Sequence, residues 1–171
     1  EIFGAKLVFQ ATRLYRLCRS KAYLFSGVEI RWSCDPSLVK DEGTPAQAVL
    51  HFPGGLRDFL AGAVEGRAAV VPAPFAGEAD FAEGARGEKT GRCEWAITWL
   101  EQGEGFLNTY ANTIPTPQGG THEAGLRAAL VKGLRAYGEL KRNKAAANVT
   151  AEDLFGGMAG IPKRATAVEA A

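Results

Sequence analysis

The residues with the most chemical potential stand in one run, Gly119-Gly120-Thr121-His122-Glu123, followed by the cations Arg127, Lys132 and Arg135. A double glycine before a helix start exposes backbone N–H groups and lets a ligand approach closely, so this run could cradle a phosphate. The same residues also make a plain turn in which Thr121 caps the next helix. The run matches neither GxxxxGK[ST] nor GxGxxG, which weighs toward the turn. His122 and Glu123 are adjacent, and neighbouring helical positions point in different directions, so the two cannot form an acid–base dyad unaided. A structural histidine is the expectation. Ser20, Ser26, Ser33 and Ser37 lack the GxSxG context of an activated serine. Cys18, Cys34 and Cys93 contain no CxxC pair, and His51 and His122 are too few for a multi-histidine site. Inert thiols and no metal follow, and on chemistry alone the chain reads as non-catalytic.

These residues need elements to hold them. Residues 11–25 place Leu14, Leu17, Cys18 and Phe25 at helical spacing with Arg13, Arg16 and Arg19 elsewhere on the barrel, which predicts an amphipathic helix stopped by Ser26-Gly27. Residues 28–32 and 48–52 alternate as strands and are expected to form a hairpin. Pro53-Gly54-Gly55 introduces a short helix over 55–64. Residues 66–91, with two prolines and a Gly/Glu/Ala-rich run, read as a long irregular connection. Cys93, Trp95, Ile97 and Trp99 alternate as the clearest strand, with 105–112 as its hairpin partner across Gln102-Gly103. After the double glycine, Leu126, Ala129, Leu130, Gly133, Leu134 and Tyr137 form a core stripe, and residues 125–144 carry a net charge of +5. Thr150 with Asp153 caps a last helix from 151 to 158, and an Ala-rich end from Gly160 is expected to fray.

The chain has 171 residues, 46% hydrophobic and 23% charged, the composition of one globular domain with an α+β order of elements. No run is apolar enough to span a membrane and the start lacks a secretion signal, so a cytoplasmic location is expected. The first residue is not Met, which predicts a piece of something longer. The net charge of +1 conceals +4 over residues 1–40, −6 over 41–104 and +3 over 105–171. Such asymmetry suits either a solvated surface or a face turned toward a polyanion.

The run Asn112-Thr113-Ile114-Pro115-Thr116-Pro117-Gln118-Gly119-Gly120-Thr121-His122-Glu123-Ala124-Gly125-Leu126-Arg127 is similar to a signature of the B-subunit of bacterial type II DNA topoisomerases, the family of DNA gyrase and topoisomerase IV. Glu1-Ile2-Phe3, Lys21-Ala22-Tyr23-Leu24, Gly27-Val28-Glu29-Ile30, Phe52-Pro53-Gly54-Gly55-Leu56 and Thr150-Ala151-Glu152-Asp153 fall in the same family order. Tyr-Arg-Leu-Cys-Arg-Ser-Lys, residues 15–21, leans toward the topoisomerase IV branch.

The resemblance implies a transducer domain over residues 1–158. Its fold would be the α+β one named for the second domain of a ribosomal protein, a mixed sheet of about four strands with helices on one face. It implies a segment, inactive alone, that couples ATP-driven dimer closure to passage of a DNA duplex. The expected partners are DNA held through its phosphates, the ATPase and cleavage domains of the same polypeptide, the A-subunit of the enzyme and a second copy, with no membrane. ATP and Mg²⁺ are expected for the full-length protein, and no cofactor for this chain. By the same resemblance Arg127, and less directly Lys132 and Arg135, face DNA, while Gly119, Gly120, Thr121, His122 and Glu123 are the family motif. One departure stands out: the family's Gln-Thr-Lys loop is absent after Met158, and Pro162 is ill-suited to a central strand. Residues 159–171 are therefore expected to be a divergent, disordered tail, and the loss of a final strand would leave a sheet edge unpaired. The competing readings are a stand-alone small-molecule phosphotransferase of similar fold and a non-functional truncated scaffold.

Overall fold

A computed structural model describes residues 9–39, 41, 43–83 and 89–166. The chain divides into two compact units, Glu1–Asp58 and Phe59–Ala171, where composition argued for one.

The first unit sets a helix on a two-stranded sheet. Helix α1 (Ala11–Leu24) is followed by Gly27, whose φ of +89° is a left-handed conformation open to a residue without Cβ. Strands β1 (Glu29–Ser33) and β2 (Gln47–His51) form the expected hairpin, with Glu29 opposite His51 and Ser33 opposite Gln47. Ile30, Trp32, Ala48 and Leu50 share one sheet face by alternation and pack with Tyr15, Cys18 and Ala22. The helix is therefore turned relative to the expected stripe: Leu17 and Phe25 are 51% and 53% exposed, while Tyr15 and Ala22 are buried. Two rows of apolar residues share the helical period here. Tyr15 wins by meeting the Trp32 ring at 5.6 Å between centroids.

Helix α2 (Leu56–Ala63) carries the boundary between the units. In the second unit, β3 (Phe75–Glu83) and β4 (Lys89–Trp99) run antiparallel, with Phe75 opposite Ile97 and Glu83 opposite Lys89. Nearly half of the stretch read as irregular, residues 75–83 and 89–91, is thus strand. Its period-2 pattern is diluted by small residues whose roles are tertiary: a Cβ on Gly77 would lie 2.9 Å from the Trp95 ring, and Gly91 is covered by the Phe81 ring. These glycines mark rings lying on backbone rather than turns.

The Trp95 strand stands as expected, but its partners do not. Besides β3, β4 pairs with β8 (Met158–Thr166), antiparallel from Trp99 opposite Met158 to Gly91 opposite Thr166. Residues 105–112 instead hold two short strands, β5 (Phe106–Leu107) and β6 (Tyr110–Ala111), both parallel to β8, and β7 (Ile114–Pro115) pairs with β6. The order is β3-β4-β8-β6-β7 with β5 also on β8, so the mixed sheet has six strands among the described residues rather than about four.

Residues 159–166 are not a disordered tail. They are the central strand, with Ala159 and Ile161 fully buried, and no edge is left bare by their loss. Residues 167–171 lie outside the described residues. Pro162 is accommodated by register. Leu100 N–H bonds Gly157 O, so the hydrogen-bonded pairs with β4 recur at Ala159, Ile161 and Lys163. The backbone of the even-numbered residues faces the other neighbour, where Asn108 N–H reaches Gly160 O and Asn112 N–H reaches Arg164 O. The Pro162 nitrogen therefore faces the break at Asn108 and Thr109 between β5 and β6, where no ladder bond is lost.

Helices α3 (Thr121–Leu140) and α4 (Ala151–Phe155) cover one sheet face: Leu130 and Leu154 form a core with Ile97 and Met158. The Trp99 indole N–H donates to Leu154 O at 2.9 Å. The core stripe of α3 is shorter than expected, since Leu134 and Tyr137 are 37% and 57% exposed. The α4 N-terminus carries the expected capping box, the Thr150 hydroxyl accepting from Asp153 N–H and the Asp153 carboxylate from Thr150 N–H. On the opposite sheet face Arg92 pairs with Glu78 and Asp80, and Lys163 Nζ meets Glu94 Oε1 at 3.1 Å.

Lys163 is 8% exposed, and its ammonium pairs with the Glu94 carboxylate. Glu94→Ala should cost about 2–3 kcal/mol in urea unfolding, and adding Lys163→Met should recover most of that loss. The hydroxyl and backbone N–H of Thr150 hold the Asp153 carboxyl below the ordinary carboxylate range. Its contribution is thus fully present above the unfolded value of about 3.9 and is lost as pH falls through the lowered folded value. Asp153→Asn should remove that part of the acid limb in thermal melts taken against pH.

Candidate nucleic-acid interface

The start of α3 is organised by its loop. Gly119, at φ +72°, lets its N–H reach Thr116 O at 2.8 Å, and Gly120 O accepts the first helical bond from Ala124 N–H. Gly120 is therefore the cap residue, and Thr121 is already helical and makes no side-chain cap bond. This corrects the capping role expected of Thr121. A Cβ on Gly119 would lie 2.6 Å from Glu123 Oε2. A carboxylate thus already sits at the positive end of the helix, which opposes a phosphate there.

His122 belongs to a chain of hydroxyls. Its Nε2 lies 3.3 Å from Thr116 Oγ1, which is 2.6 Å from the Thr109 hydroxyl, and that hydroxyl also lies 2.8 Å from Thr116 O. Thr109 is 4% exposed. The imidazole therefore ties the first turn of α3 to the loop joining β6, β7 and the helix. Glu123 turns the other way, accepting from Arg127 Nε at 2.9 Å one helical turn on.

The three cations singled out in sequence line one depression of about 700 Å³, walled by Val131 from α3 and by Ala151 and Phe155 from α4. They are held differently. The Arg127 guanidinium stands 4.5 Å over the Phe155 ring, with Nε committed to Glu123. Arg135 gives Nε and Nη2 to Val149 O at 3.0 and 2.6 Å, closing the connection before α4. Lys132 is exposed and makes no ion pair among those of the described residues. With Glu139 as the acid of this depression, its local charge is positive, suited to a polyanion backbone. The Glu123–Arg127 pair was missed in the sequence, although its i, i+4 spacing is a signal that could have found it. The Phe155 platform and the bond to Val149 leave no such signal, because they join segments distant in sequence.

Among the described residues no group of three or more His, Cys, Asp or Glu side chains could hold a metal. The cysteines are free, and burial pushes the Cys93 thiol up. No described helix is long and apolar enough to cross a membrane.

The family model for DNA gyrase B matches residues 55–163, reaching into the central strand β8. The chain belongs to the DNA gyrase B family. It is 51% identical over 158 residues to the DNA topoisomerase 4 B-subunit of Caulobacter vibrioides, covering 90% of this chain and 22% of that protein. It is 43% identical over 156 residues to the corresponding protein of Bartonella bacilliformis, again over 22% of it. This gyrase B family chain thus spans about a fifth of the length of the curated relatives it matches. Its fold is that of the 43K ATPase domain of Thermus thermophilus gyrase B, with a TM-score of 0.72 at 23% identity over 94% of this chain and 41% of that one. The topoisomerase IV ATP-binding domain of Francisella tularensis gives 0.66 at 23% identity, over 96% and 40%.

The two roles on α3 separate by stability. Arg135→Ala should cost about 1 kcal/mol by losing its bonds to Val149 O, whereas Lys132→Ala should leave the urea midpoint unchanged.

Proposed function

We propose that this chain is the transducer segment of the B-subunit of an ATP-dependent type II DNA topoisomerase of the topoisomerase IV branch. In that role it couples closure of the ATP-driven dimer to passage of one DNA duplex through another. The observation that carries the reading is the convergence of Arg127, Lys132 and Arg135 on one depression, on the helix that follows Gly-Gly-Thr-His. Membership of the gyrase B family and 51% identity to a topoisomerase 4 B-subunit support it.

DNA would lie against α3 through its phosphates. Lys132 supplies a mobile point charge, and Arg127 supplies the guanidinium edge not used by Glu123. Such contacts position a duplex without reading its sequence. ATP and Mg²⁺ belong, in this proposal, to the ATP-binding domain of the longer protein, because Glu123 occupies the one helix start here that resembled a phosphate cradle. The A-subunit, the cleavage domains and a second copy are the corresponding partners, and the chain alone is inactive.

In the full-length protein, Lys132→Ala and Arg127→Ala should each weaken duplex binding and reduce the slope of log affinity against log salt by about 0.9 per lost phosphate contact. Strand passage should fall with them while ATP hydrolysis without DNA is retained. Unchanged affinity and slope in both variants would remove the DNA-facing assignment.

A further inference from the structure

Among the described residues β3 ends its sheet: β4 bonds one of its edges and no strand lies beyond the other. The register decides which peptide groups that leaves. Leu100 N–H bonds Gly157 O, so even-numbered residues of β4 turn their backbone to β8 and odd-numbered ones to β3. Cys93, Trp95 and Ile97 therefore bond Ala79, Gly77 and Phe75, and the N–H and C=O of Ala76, Glu78 and Asp80 point outward. An edge of this kind holds an extended chain by main-chain hydrogen bonds, and the flanking side chains set which chain fits.

The two faces of β3 differ in chemistry. Phe75 stands opposite Ile97, which packs with Leu130 of α3, so Phe75, Ala79 and Phe81 form an apolar row on the α3 side. Phe75 is 49% exposed, and with Phe81 it forms the β3 wall of a cavity of about 520 Å³ that Leu126 and Ala129 line from α3. On the opposite face stand Glu78 and Asp80, with side chains 60% and 79% exposed. Arg92 is the cation they share, paired with Glu78 and 3.9 Å from Asp80, while Glu94 is taken up by Lys163. Two acids to one cation leave this side of the edge negative. Its complement is a strand that sets apolar side chains beside Phe75 and Ala79 and cations beside Glu78 and Asp80.

We propose that the outer edge of β3 is a docking site for an extended segment of a separate polypeptide in which apolar residues alternate with lysine or arginine. The segment adds a strand beside β3, its main chain bonded to Ala76, Glu78 and Asp80, its apolar side chains against Phe75 and Ala79, and its cations facing Glu78 and Asp80. The stretches of this chain outside the described residues lack that pattern: 1–8 and 84–88 each hold one cation and one acid, and 167–171 holds Glu169 and no cation. The site is independent of the DNA reading, whose cations lie in the depression between α3 and α4.

The probe is the end-capped peptide Lys-Val-Lys-Val-Lys-Val-Lys, whose valines favour an extended chain, titrated by calorimetry against the 171-residue chain and against the full-length protein. One saturable site is expected in both. Amide hydrogen exchange followed by NMR should slow at least about tenfold at Ala76, Glu78 and Asp80, while Gly77 and Ala79, already bonded to β4, change little. Asp80→Lys, at a side chain exposed enough for the fold to be kept, should weaken binding about tenfold, and Glu-Val-Glu-Val-Glu-Val-Glu should not bind. No saturable site on the 171-residue chain, or no added protection at the three even-numbered amides, overturns the strand-addition site. Equal affinity for the two peptides, or for the lysine peptide in Asp80→Lys, overturns its charge preference. Binding to the 171-residue chain that is lost in the full-length protein overturns a separate polypeptide as the occupant.

Discussion

The second unit depends on one constraint: β8 must be hydrogen-bonded to neighbours on both sides. On one side it completes the antiparallel ladder with β4. On the other it is the strand to which β5 and β6 attach in parallel, and through β6 it holds β7. Removing it would part the long β3–β4 hairpin from the short strands that lead into α3. Its apolar members meet the same demand, since Met158 enters the core with Ile97, Leu130 and Leu154. A strand buried on both edges has no solvent to satisfy a stray backbone group. The placing of Pro162 opposite the break between β5 and β6 is thus a condition for the sheet and not a local detail.

Local pattern carried the elements whose stability is local. The α1 helix, the β1–β2 hairpin, the Trp95 strand and the Thr150 capping box were legible because periodicity, alternation and a four-residue box act within short windows. What was not legible depends on partners far along the chain. The strand character of Phe75–Glu83 shows only once Trp95 and Phe81 are seen lying over Gly77 and Gly91. The parallel pairing of residues near 106–111 with β8 spans about fifty residues and leaves no trace in either segment alone. Pro162 and the missing Gln-Thr-Lys motif argued against a strand after Met158, and the ladder with β4 overruled both.

The candidate interface shows a related division. The surplus of positive charge on its helix was legible and the family resemblance singled out its cations, but their availability was not legible. Arg127 and Arg135 are partly spent inside the unit, one on Glu123 and Phe155, the other on Val149 O. The family motif before the helix acts at one remove. Gly119 and Gly120 shape the turn, and His122 with Thr116 and Thr109 fixes the loop, so that α3 leaves the sheet in a set direction with its basic side over α4. The motif thereby orients charges that it does not itself contain.

The paired acids of β3 have a further consequence for how copies of this unit meet. Among the described residues β3 is an outer strand, with one row of peptide groups facing away from β4. Such a row is a template for another strand. Two copies joined antiparallel about Ala79 would set Glu78 of each against Asp80 of the other. Arg92 of the same copy sits across from these acids on the inner side, so within one chain they are compensated. At a seam between chains four carboxylates would converge, and the acids compensated within one chain would there oppose fibre-like growth.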